Sequence, residues 1–124
     1  MITLDTSALI RYLVKDDLAK SDKVRELLKS GQKLQVPDVV ILEINFILIK
    51  KYSSTKQAVC EGIEFIFSLA NVKASDEIKK AAKIYKTNSL SLADCLIIAG
   101  LEANSQLASF DKKLLKLSGV KSAL

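Results

Sequence analysis

"MITLDTSALIRYLV", residues 1–14, decides how the rest of the chain is read. Residues 2–4 are a short β-branched and apolar run, Asp5 ends it, and Leu9, Ile10 and Leu13 then recur at helical spacing. The order strand, carboxylate, helix puts a charge at the carboxyl end of a strand, the edge where open parallel sheets form their ligand sites. Because the strand-like run begins almost at once, no room is left for the charged and apolar regions of a secretory leader, and a cytoplasmic protein is expected.

The same alternation continues outward. Residues 19–30 read as an amphipathic helix with Val24, Leu27 and Leu28 inward, stopped at Gly31, and "KLQVP" reads as a second strand. Asp38 is expected to cap the next helix. "STKQAVCEGIEFIFSLA" is a further helix starting at Ser54 or Thr55 and burying Ala58, Val59, Ile63, Ile66 and Phe67, followed by the short strand "NVKA". Residues 76–86 separate an apolar face (Ile78, Ala81, Ala82, Tyr85) from a face of Lys79, Lys83 and Lys86. After "TNSLS" come a buried helix "LADCLIIAGLEA", a strand "QLASF" ending near Asp111, a short helix "DKKLLKL" and a last strand in "GVKS". Strands alternating with helices at this spacing form βαβ units, so a parallel sheet with helices on both faces is expected over a single domain, residues 1–124.

Composition narrows the function classes. At 49% hydrophobic and 27% charged residues the chain has the makeup of a compact domain and not of a disordered one. No apolar run is long enough to suggest a membrane span. Cys60 and Cys95 have neither CxxC spacing nor histidine partners, which fits buried reduced thiols. Nineteen Lys and Arg against 14 Asp and Glu give +5, favouring an anionic partner. The absence of Trp, with only three Tyr and four Phe, directs any nucleic-acid contact toward phosphates rather than base stacking. No GxxxxGK or GxGxxG occurs, so a nucleotide cofactor has no support.

Four carboxylates stand out. Asp5 and Asp111 follow predicted strands, although either alone is equally well read as a helix cap. Glu43 lies in "VPDVVILEINFILIK", residues 36–50, where its neighbours three and four residues away are Val39, Val40, Phe46 and Ile47. Asp94 has Leu90, Ser91, Ile97 and Ile98 at the same offsets. The plain alternative for both is a carboxylate at the edge of its helix, reaching water or a distant Lys. If the four acids converge, their repulsion demands a cation. Oxygen ligands without His or paired Cys suit Mg2+ or Mn2+ and not zinc. A chain with no histidine has no His general base and no Ser–His triad, which leaves water activated by the metal as the nucleophile for hydrolysing a phosphodiester.

"LDTSALI", Glu43 in its apolar helix, "LADCLIIAG" and "ASFDKKL" together resemble the PIN-domain family, and within it the short toxin ribonucleases of VapBC toxin–antitoxin systems. The resemblance runs from residue 2 past residue 111. It implies a three-layer α/β/α fold with a central parallel sheet of about five strands, and a metal-dependent ribonuclease whose Mg2+ or Mn2+ is held by Asp5, Glu43, Asp94 and Asp111. Ser7 and Ser109 match small hydroxyl positions that support the acids. A homodimer and inhibition by a VapB-like antitoxin occupying the acidic groove are also implied. Three positions depart from the pattern: Ser109 stands for a common threonine, Cys95 for a small residue, and Leu114 for a frequent aromatic.

Rival readings are fewer. A haloacid-dehalogenase-like phosphotransferase would need a second Asp two residues after Asp5, where Ser7 stands. A PIN nuclease of RNA processing outside a toxin–antitoxin system, or a non-cleaving RNA- or partner-binding PIN module, would share the fold. Arg11, close after Asp5, is the cation placed to meet substrate RNA, whereas Lys79, Lys83 and Lys86 read as a solvated helix face.

Overall fold

A computed structural model describes all of residues 1–124. Five two-residue strands alternate with seven helices in an α/β arrangement. β1 (Ile2–Thr3) pairs in parallel with β2 (Leu34–Gln35), which pairs in parallel with β3 (Val72–Lys73). β4 (Gln106–Leu107) and β5 (Lys121–Ser122) form a separate parallel pair. The five expected strands are therefore present and parallel, but their ladders are divided three and two. Each is shorter than the apolar run that announced it, and "QLASF" contributes only Gln106 and Leu107, leaving Ala108–Phe110 as the connection to Asp111. The first ladder extends by single bonds, Ile2 N–H to Lys33 O (2.9 Å) and Leu4 N–H to Gln35 O (2.8 Å).

The helices are α1 (Thr6–Val14), α2 (Leu18–Lys29), α3 (Asp38–Lys50), α4 (Lys56–Ser68), α5 (Asp76–Thr87), α6 (Leu92–Ala99) and α7 (Lys112–Ser118). Their starts follow local hydrogen bonding. The side chains of Asp17, Thr55, Ser75 and Ser91 accept from the amides of Lys20, Ala58, Ile78 and Asp94, satisfying donors that the first turn leaves free. At α3 the expected cap is corrected. Pro37 occupies the N-cap and Asp38 is the first helical residue, where its carboxylate accepts from the Ser75 hydroxyl at 2.7 Å. That tie joins the starts of α3 and α5.

One core unites strands and helices: Leu4, Leu34, Val36 and Val72 from the first sheet meet Leu9, Ile41, Ile44, Ile63, Ile66, Ile78 and Leu92 from the helices. Of the residues expected inside α4, Val59, Ile63 and Ile66 are buried, Phe67 is half-buried and Ala58 is exposed. Cys60 and Cys95 are both buried free thiols, pushed above the ordinary thiol pKa chiefly by burial. No helix is long and apolar enough to cross a membrane.

Candidate functional site

Three of the four acids sit at the start of a helix, and Glu43 lies farther in. Asp5 is the N-cap of α1, Glu43 lies in the second turn of α3, Asp94 is in the first turn of α6 and Asp111 is the N-cap of α7. Negative charge is favoured at that end of a helix by the unpaired amides and the macrodipole. The helices form a connected series, because α1 packs on α3, α3 touches α6 and α6 touches α7.

Glu43 requires a correction. The apolar sequence around it suggested a carboxylate in need of a reason to be buried, but its side chain is exposed, and so are Val39 (56%) and Phe46 (64%) beside it. Val40, Ile41, Ile44 and Leu48 fill the core from the opposite side of the same helix. No desolvation penalty therefore falls on Glu43. Asn45, the other polar residue of the stretch, has a buried side-chain oxygen without a hydrogen-bond partner, and its amide opposes the upward push that burial gives the Tyr85 phenol.

Asp5 is exposed, and the Ser7 hydroxyl donates to its carboxylate at 2.8 Å. That bond, followed by the Thr6 and Ser7 amides, holds Asp5 below the ordinary carboxylate pKa of 3.8. It is thus ionised at neutral pH. Next to it, the Thr6 hydroxyl oxygen is buried without a hydrogen-bond partner. Asp111 does cap its helix, accepting from Leu114 N–H at 3.0 Å, while its own amide donates to the Ser109 hydroxyl at 3.0 Å. Ser7 thus contacts a carboxylate, and Ser109 braces a backbone.

The fold's ion pairs use Asp16, Asp17, Asp22 and Glu64, so none of the four acids is matched to an internal cation. Arg11 pairs with Asp16 at 2.7 Å. No three Cys, Asp or Glu side chains stand close enough together to cage an ion by themselves. In donor chemistry the set still suits a hard cation, since only carboxylate and hydroxyl oxygens are offered and the thiols are buried and protonated. Mg2+ is commonly held by one or two carboxylates with waters completing the shell, so a closed protein cage is not required.

Sequence reasoning missed the apolar side chains left open beside these acids. Ile97, 46% exposed, is one turn after Asp94, and Phe110, 89% exposed, directly precedes Asp111. Together with Val39 and Phe46 they give three of the four acids an open apolar neighbour. The available signal was that apolar residues of α3 fall on both sides of the helix, Val39 and Phe46 with Glu43 as well as Val40, Ile41 and Ile44 opposite.

The PIN domain family model matches residues 2–120. A "VapC ribonuclease" of Aquifex aeolicus (strain VF5) is 30% identical over 125 residues, covering 94% of this chain and 92% of that protein.

Proposed function

From the premise that the chain belongs to the PIN domain family, we propose that it is a metal-dependent ribonuclease of the VapC kind. Asp5, Glu43, Asp94 and Asp111 hold Mg2+ or Mn2+, and a VapB-like antitoxin restrains the enzyme in the cytoplasm. The observation that carries this reading is that the four family-matching acids, three exposed and Asp94 half-buried, lie on a connected series of helices with no internal cation spent on any of them.

A bound divalent cation supplies the charge that activates water and offsets negative charge building on a phosphodiester. The chain's own groups do the positioning. Ser7 orients the Asp5 carboxylate and extends its ionised form to lower pH. The Leu114 amide fixes one oxygen of Asp111, leaving the other to face outward. Glu43 and Asp94 make no ion pair that a cation would have to break.

The open apolar residues Val39, Phe46, Ile97 and Phe110 support control by a protein partner and a homodimeric state, because a small domain gains nothing by leaving them wet. The test is cleavage of a labelled mixed RNA pool by purified, partner-free protein in Mg2+ or Mn2+, beside EDTA and an Asp94→Asn variant prepared identically. Metal-dependent cutting lost in the variant is expected. Equal cutting by both proteins means a contaminating ribonuclease and contradicts the proposal.

A further inference from the structure

We infer that the cleft between α1 and α2, walled by Ser7, Arg11, Lys20 and Lys23, is a phosphate-binding track that seats the RNA backbone next to the acidic site. The inference rests on the ribonuclease reading and adds the path of the substrate. The cleft encloses about 390 Å3, and Ala8 and Val24 complete its lining. All three charged residues on its wall are cationic. Ser7 ties it to the acids, because the residue that lines the cleft also donates its hydroxyl to Asp5.

The cations differ in how far they are compensated. Arg11 is held in place by Asp16 at 2.7 Å, and Lys20 lies 3.9 Å from Asp17, near the limit of an ion pair. Lys23 makes no ion pair. Neither Asp16 nor Asp17 lines the cleft, so an anion entering it meets positive charge first. A second cleft, lined by Glu64, Phe67, Ser68, Lys79, Ala82 and Lys83, carries an acid on its own wall and supplies a built-in contrast. Without a cation the acids repel an RNA strand, so they cannot by themselves hold it in place. A flanking row of cations resolves this by gripping the phosphates on one side of the scissile bond.

The test is binding of a labelled single-stranded RNA of about ten nucleotides, followed by fluorescence anisotropy across a salt series in EDTA, where no cutting occurs. The parent, Lys20→Gln/Lys23→Gln and Lys79→Gln/Lys83→Gln are compared after melting curves confirm equal folding. Each lost phosphate contact lowers the salt slope by about 0.7 for a single strand. The first double variant should therefore lose about 1.4 in slope and bind about tenfold more weakly near 0.1 M salt, while the second matches the parent. In Mg2+ its KM for RNA should rise by a similar factor with kcat nearly unchanged. An unchanged slope, or an equal loss in both variants, overturns the track. So does a poly-glutamate peptide that binds the parent as tightly as RNA and suffers the same loss. The two readings separate cleanly: cutting with an unaffected slope removes the track alone, and Lys20- and Lys23-dependent binding without metal-dependent cutting keeps the track and removes the nuclease.

Discussion

Along α3, Val40, Ile41, Ile44 and Leu48 are at most 6% exposed, whereas Val39 and Phe46 on the other side are 56% and 64% exposed and bracket the open Glu43. The buried face is wholly aliphatic, and the open one mixes Val39 and Phe46 with Glu43 and Lys50. Neighbouring helices cover one, and water meets the other. Two large apolar side chains held in water on either side of a carboxylate mark that face as one suited to contact. The buried face holds the domain together, and the open face presents a carboxylate among side chains suited to contact with another molecule.

The largest effect that separates the two faces is on stability. Ile44 is fully buried, and Ile44→Ala should cost about 4 kcal/mol in a urea or thermal melt. A loss below about 1 kcal/mol would mean that the buried face is not packed as described. On the open face, Glu43→Gln should leave the melting temperature unchanged while lowering metal-dependent RNA cleavage about a hundredfold, equivalent to about 2.7 kcal/mol of transition-state stabilisation. A variant that unfolds would place Glu43 with the core instead.

Asp94 extends the comparison to a second helix. Without metal, Asp94→Asn should leave the melting temperature unchanged or raise it slightly, because a carboxylate with no internal cation is removed. A clear fall under chelation would reveal a structural bond. The smallest effect concerns Asp5, whose folded pKa lies below its ordinary value through the Ser7 hydroxyl first. Such a group favours folding fully above its unfolded pKa, and that advantage is lost as pH falls through the lowered folded value. An NMR carboxyl titration should find the Asp5 midpoint below 3.8, moving upward in Ser7→Ala. A midpoint unmoved by the substitution would remove the hydroxyl's role.

Much of this arrangement was legible locally. The strand–Asp–helix order at residues 2–14 follows from a β-branched run meeting a periodic one, and of the two expected starts of α4, Ser54 and Thr55, it is Thr55 that caps. Glu43 and Asp94 drew notice through their apolar neighbours, and Asp5 and Asp111 through their places after expected strands. The exposure of Glu43 was not legible, since periodicity cannot tell which side of an apolar helix its neighbours will cover; α1, α4 and α6 decide that by packing on α3. Asp38 was misplaced for a similar reason, because its partner Ser75 is 37 residues away. Lys20 and Lys23 join Arg11 around one cleft only when α2 folds back on α1.

The most direct measurement is of Mn2+ binding by electron paramagnetic resonance, in which bound metal removes the free-ion signal, on the parent, Glu43→Gln and Asp94→Asn proteins without RNA or partner. The parent should take up Mn2+ and each substitution should weaken uptake about tenfold or more, with the melting curves of the metal-free proteins unchanged or, for Asp94→Asn, slightly raised. Equal uptake by all three would contradict this, because Glu43 and Asp94 would then not be the groups that hold the metal.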